Sequence, residues 1–122
     1  MPNPHHSLVP RPQVAEWAEP PVHPGEMLLE EFLRPLGLSQ TAFADRLRVP
    51  LQRLHDLVRG RRGVTPDTAL RLGRALGTSP EFWLRLQETW DLWHAAHGAA
   101  AGEIAAIEPL PHDASGALLV EA

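Results

Sequence analysis

The sequence predicts an all-α domain of five helices, and three observations carry that expectation. Apolar residues recur at helical spacing without strand-like alternation. Glycines and capping residues punctuate the chain at helix-sized intervals. Prolines crowd the first 21 residues rather than the region between. The chain has 122 residues, 43% of them hydrophobic, enough for one compact domain with trailing peptide. Three segments follow: a Pro-rich arm over 1–22, a helical domain over 23–97 and an Ala/Gly-rich tail over 98–122.

In the arm, Pro2, Pro4, Pro10, Pro12, Pro20 and Pro21 remove backbone donors and break helices, which predicts a mostly extended, disordered segment. A first helix is expected from about Pro24 to Pro35, with Leu28, Phe32 and Leu36 forming an apolar stripe at i, i+4, i+8, and Gly37 ending it. Ser39 caps a second helix from Gln40 to about Leu47. A third runs from Pro50 to Arg59 and stops at Gly60. Thr65 followed by Pro66 starts a fourth, which ends at Gly77. Thr78, with Glu81 three residues on, reads as a capping box for a fifth helix from Ser79 to about His97. The tail, interrupted by Pro109 and Pro111, reads as loose, with Ala117 to Val120 open to a short strand.

Only about three residues separate the second and third helices, a linkage that crosses helices steeply. With Gln40 as position one, Ala44 stands at five, where a small side chain lets the helices approach. Phe43, Leu47, Val49, Leu54 and Leu57 supply an apolar wedge at four, eight, ten, fifteen and eighteen. This is the pattern of a helix-turn-helix, whose second helix enters the DNA major groove. Position nine, where φ is commonly positive and glycine frequent, is Arg48; a non-glycine residue in that conformation costs about 1 kcal/mol, so the turn is expected to differ in detail.

Charge supports the same reading through its distribution. The formal net charge is −4, every one of the 11 cationic residues is arginine, and there is no cysteine. Residues 1–38 carry −3 and residues 63–122 carry −5, whereas residues 39–62, with six arginines against Asp45 and Asp56, carry +4. A concentrated patch of this kind is what a polyanion feels at short range; the same cluster could equally be a solvated helical face.

On the third helix, Leu54, Leu57 and Val58 are expected in the core and Leu51, Gln52, Arg53, His55, Asp56 and Arg59 outside. Gln52 can pair with adenine and Arg53 with guanine; Leu51 can pack on a thymine methyl. Asp56 repels phosphate and is expected to pair with Arg53 or Arg59 instead. Gln40, Arg59, Arg61 and Arg62 are placed for phosphate contacts. No catalytic residues are expected: there is no Gly-rich phosphate loop, no nucleophile–base signature, and Glu30 and Glu31 are adjacent rather than opposed. His94 and His97 lie at i, i+3, but without cysteine or a carboxylate set at ligand spacing they predict no metal, and no cofactor is implied. Four tryptophans exceed what a small core needs. Trp83 and Leu86 are assigned to the core, Trp90 and Trp93 to a dimer interface or another partner contact. There is no stretch of the length a membrane span requires and no apolar signal-peptide core, which places the protein in the cytoplasm.

The run His23-Pro24-Gly25-Glu26, then Leu38-Ser39-Gln40, Phe43-Ala44 and Leu47, then Gly60 and Thr65-Pro66-Asp67-Thr68-Ala69-Leu70-Arg71-Leu72, and finally Ala75-Leu76-Gly77-Thr78-Ser79-Pro80-Glu81-Phe82-Trp83-Leu84, strongly resembles the HigA-type (VapI-like) antitoxins of bacterial toxin–antitoxin modules. These fall within the wider Xre/lambda-repressor-like helix-turn-helix group, and the resemblance covers about residues 22–97. It implies a five-helix lambda-repressor-like domain, a homodimer on an operator palindrome that represses its own operon, and a partner toxin that is an mRNA-cleaving ribonuclease of the RelE type. A ribonuclease must present a basic surface to mRNA, so such a toxin is expected to bind the acidic flanks, Glu26 to Glu31 or the tail after Gly98. Two other readings remain: a stand-alone repressor without a toxin, and a protein-interaction module with an incidental basic patch.

Overall fold

Pro24, with its fixed φ and no backbone N–H to satisfy, opens the first helix of the computed structural model, which describes residues 14–119. Helix α1 covers residues 24–36, α2 Gln40–Leu47, α3 Leu51–Val58, α4 Pro66–Leu76 and α5 Pro80–Ala96. These are the five expected helices. A short sixth, α6, covers Ala101–Ala105 in the tail. Arm residues 1–13 and the last three residues lie outside the described part, so the expectation of a disordered arm is met or missed only over 14–22.

Helix α1 departs from regular geometry. Its middle, Leu29–Leu33, is a π-helical turn, with the Arg34 N–H bonded to the Leu29 carbonyl. Pro35 supplies a physical reason: it lacks an N–H and its ring crowds the carbonyl four residues back, and a wider turn just before it relieves that clash. The extra residue rotates the helix face. Leu28 and Leu33, at i and i+5, are buried, Phe32 is half-buried, and Leu36 is 59% exposed. The expected Leu28–Phe32–Leu36 stripe is therefore corrected to Leu28–Leu33.

The core gathers Leu28 and Leu33 of α1, Phe43, Ala44 and Leu47 of α2, Leu54 and Leu57 of α3, Val64, Ala69 and Leu72 of α4 and its approach, and Trp83 of α5. Trp83 is fully buried, with Phe82 edge-on at 5.0 Å and Phe32 tilted at 5.4 Å between ring centroids. Its indole N–H donates to the Thr78 hydroxyl at 2.7 Å. That bond removes Thr78 from capping duty. The cap of α5 is Ser79, whose hydroxyl accepts from the Phe82 N–H at 3.1 Å, so the Thr78–Glu81 capping box is not formed.

Residues 14–22 are not free peptide. Val14–Glu16 form a 3₁₀ turn that packs on α5, and the Trp93 indole N–H donates to the Trp17 carbonyl at 2.9 Å. In the tail, α6 is followed by a turn in which Asp113 accepts from Ser115 and Ala117, closed by an antiparallel bridge between His112 and Leu118.

Candidate nucleic-acid interface

Helices α2 and α3 are set against each other by a left-handed turn. Arg48 has φ 58 and ψ 45, the one non-glycine residue with positive φ among those described. The Val49 N–H bonds to the Ala44 carbonyl and the Arg48 N–H to the Asp45 carbonyl, the two bonds of a Schellman motif. The turn keeps the glycine conformation without the glycine, so the expected departure in detail does not occur. One contact helps to explain how: Arg71 of α4 donates to the carbonyls of Leu47 at 2.8 Å and Arg48 at 3.3 Å, holding the turn from outside the motif. Phe43, Ala44, Leu47, Leu54 and Leu57 are buried and Val49 half-buried, which is the expected wedge.

The outer face of α3 carries Leu51, 46% exposed, with Gln52 and Arg59 also exposed and His55 and Asp56 half-buried. The Gln52 amide donates to the Asp56 carboxylate at 2.8 Å. Asp56 thus pairs with Gln52 and not with Arg53 or Arg59, because one helical turn brings residues i and i+4 together on the same face. A carboxylate only accepts, so the amide must turn its nitrogen to Asp56; its oxygen and second N–H remain free. Gln40, at the start of α2, lies 3.3 Å from His55 Nδ1 and joins the two helices across the angle between them.

Arg53 has a different role from the one expected. Its guanidinium donates to Asp67 at 2.6 Å and to the Thr68 hydroxyl at 2.7 Å, with the side chain mostly covered. Position 53 lies on the flank of α3 that meets α4, so its charge serves packing between helices rather than a free outer face. Asp67 receives Arg71 as well, at 2.9 Å. The Arg53 hydrogen bond first, and the Arg71 bond second, hold the Asp67 carboxyl below the usual aspartate range. A ladder results, from Arg53 through Asp67 and Arg71 to the carbonyls of the turn.

Arg59, Arg61 and Arg62 follow α3 on a loop, are all exposed, and their side chains form no hydrogen bond or ion pair among the described residues. Gln87 of α5 positions that loop: its side-chain oxygen accepts from the Val64 N–H at 2.7 Å, and its nitrogen donates to Asp91. Behind α3, α1 approaches so closely that a Cβ on Gly25 would sit on the Leu57 carbonyl. His23 caps α1, its Nδ1 accepting from the Gly25 N–H at 2.9 Å, while burial holds its pKa below the ordinary histidine value. Arg71, Asp67, Gln87 and His23 were not singled out from composition or spacing; single polar residues that brace a turn carry no periodic signal.

Trp90 and Trp93 meet their own chain. Trp90 packs edge-on against His23 at 4.9 Å and stacks with His94 at 3.8 Å; Trp93 stacks with His97 at 4.0 Å and holds Trp17. Part of the tryptophan surplus thus docks residues 14–23 onto α5, a contact within the chain that the sequence did not reveal, while both rings stay half-buried. No group of three or more His, Asp or Glu side chains arranged to hold a metal occurs among the described residues.

A helix-turn-helix family model (HTH_3) matches residues 29–83. Virulence-associated protein I of Dichelobacter nodosus is 45% identical over 95 residues, 78% of this chain and 86% of that protein. Antitoxin HigA-1 of Vibrio cholerae is 45% identical over 74 residues, 60% and 69% of the two chains. The chain belongs to the HigA-type (VapI-like) antitoxin family. Among solved structures, Pseudomonas aeruginosa antitoxin HigA with the higBA promoter superposes on this HigA-type fold with a TM-score of 0.71 at 42% identity, covering 75% of this chain and 99% of that one. Antitoxin GraA in complex with its operator gives a TM-score of 0.71 at 40% identity over 79% and 97%.

Proposed function

We propose that this HigA-type chain is a sequence-specific DNA-binding antitoxin that represses its own operon as a homodimer and neutralises an mRNA-cleaving toxin of the RelE type. The observation that carries the DNA reading is the outer face of α3. There an amide fixed by Asp56 stands beside exposed Leu51, with Arg59, Arg61 and Arg62, whose side chains pair with none of the described residues, next to it. Relatives of the same fold are solved on operator and promoter DNA, which supports the same use here. A homodimer follows from the need to place two such helices about one helical turn, ~34 Å, apart. The place of action is the cytoplasm, in keeping with the lack of any described helix long and apolar enough to cross a membrane.

The test is fluorescence anisotropy with the upstream duplex of its own gene and a scrambled duplex. Replacing Arg61 and Arg62 by Ala should weaken binding to both about equally, and Gln52→Ala should reduce the preference between them. Equal binding of the double variant and the native chain at ~0.15 M salt would remove the patch from the interface.

For the toxin, the supporting observation is the tail. Ile104, Ile107 and Leu110 are all more than half exposed beside Glu103 and Glu108, and no cationic residue follows Arg85. An acidic and apolar strip suits a basic, RNA-gripping partner. Co-expression of the neighbouring open reading frame with a chain ending at His97 is the assay. Loss of growth rescue places the toxin on the tail, whereas full rescue moves it to the acidic face Glu26 to Glu31. A neighbouring frame that is harmless on its own would make this a stand-alone repressor.

A further inference from the structure

An open groove of about 490 Å³ lies between the end of α2 and the outer face of α4. Arg46, Arg48, Arg71 and Arg74 line it, with Asp67 as its single acid and Leu70 exposed on its wall. Arg71 is fixed by Asp67 and by the carbonyls of the turn. The side chains of Arg46, Arg48 and Arg74 make no hydrogen bond or ion pair among the described residues. Asp67 is already shared between Arg53 and Arg71, so no acid in the groove is free to pair with these three. Like charges held around one concavity repel, and an anion relieves that repulsion.

Position makes the choice of anion. Arg48 stands three residues before Leu51, so this groove flanks the N-terminal end of α3, while Arg59, Arg61 and Arg62 follow its C-terminal end. An eight-residue helix is about 12 Å long. The major groove is about as wide, with a phosphodiester strand on either side. Cations at both ends of α3 therefore match the two strands that border the groove it enters.

We propose that the Arg46–Arg48–Arg74 groove is a second phosphodiester-binding site, which grips the DNA strand opposite the one held by Arg59, Arg61 and Arg62. The proposal rests on the DNA-binding reading above and adds a site to it. The full chain with Arg46→Ala and Arg74→Ala is compared with the native chain and with an Arg46→Lys, Arg74→Lys variant, by anisotropy on operator and scrambled duplexes across a salt series. Both side chains are exposed, so the thermal midpoint serves as the folding control. Each lost phosphate contact lowers the slope of log K against log salt by about 0.9. The Ala variant should thus lose about 2 from the slope per subunit, weaken on both duplexes alike and keep its base preference, while the Lys variant keeps the native slope. An Ala variant with the native slope overturns the second site, provided Arg61→Ala with Arg62→Ala does lower it. A native chain that binds neither duplex overturns the DNA reading itself.

Discussion

The Gln52 amide and the Asp56 carboxylate, 2.8 Å apart on one face of α3, form a pair in which the acid dictates how the amide points. An adenine edge needs an acceptor and a donor side by side, which are what Gln52 has left. Asp56→Ala frees that amide to rotate and removes one negative charge. Binding to scrambled DNA should tighten, and the preference for operator over scrambled duplex should fall by up to about tenfold. Anisotropy titrations on both duplexes measure the two effects separately; a variant that tightens on both equally would mean that Asp56 acts by charge alone.

Gly25 lies against the Leu57 backbone, which cannot retreat without moving α3. Gly25→Ala should destabilise the domain by about 1–3 kcal/mol, as overpacking does in dense cores. Operator affinity should fall with it, because the displaced element is the one that carries Gln52. Urea midpoints and binding on the same preparation are the measurements.

His23 must be neutral at Nδ1 to accept the Gly25 N–H. Burial pushes its pKa down; Asp91 and Glu26 pull it back up and His94 adds to the fall, with burial the largest influence. The unfolded chain therefore takes up the proton first as pH falls. Stability is full above the ordinary histidine range and declines between that value, about 6.5, and the lower folded one. The urea midpoint should drop from pH 7.5 to pH 5.5, and His23→Asn, whose side-chain oxygen can still cap α1, should flatten that drop. An equal drop in both proteins would assign it to other groups.

Trp93 holds residues near 17 through one hydrogen bond from its indole. Trp93→Phe keeps an aromatic ring and removes the donor, at a cost of about 1 kcal/mol. Amide exchange over 14–22 should speed up about fivefold while exchange in α2 and α3 stays as it was. Sedimentation of the variant should match that of the native chain, since the ring is engaged within its own molecule.

The five helices of the domain and the wedge between α2 and α3 were legible because both depend on repeated apolar spacing and on caps such as Ser39 and Thr65, whereas the short α6, with no side-chain cap and no buried residue, was not. The phase of α1 was not: a π turn breaks the 3.6-residue period on which the Leu28–Phe32–Leu36 stripe relied. Ser79 and Thr78 are both capping residues, and only the placement of the Trp83 indole decides between them. Arg53 looked available because spacing on a lone helix does not reveal Asp67 on another. Gln52 is exposed where the sequence placed it, since its outward direction follows from the inward one of Leu54 and Leu57, and Arg59, Arg61 and Arg62 are exposed on the loop past the helix end.

The π turn in α1 also marks the point at which the chain can give up a residue once Pro35 is replaced. A helix with one residue too many between two fixed inward positions can lose that residue and close to an ordinary turn, with Leu28 and Leu33 then four apart. Deleting Glu30 would shorten the outer surface without moving the α1 face that presses on α3. Pro35 is the obstacle, because the regular helix restores its clash with the preceding turn. Deletion together with Pro35→Ala should leave a folded domain, whereas deletion alone should not be tolerated as well. Insertion and proline are, in this helix, two halves of one accommodation.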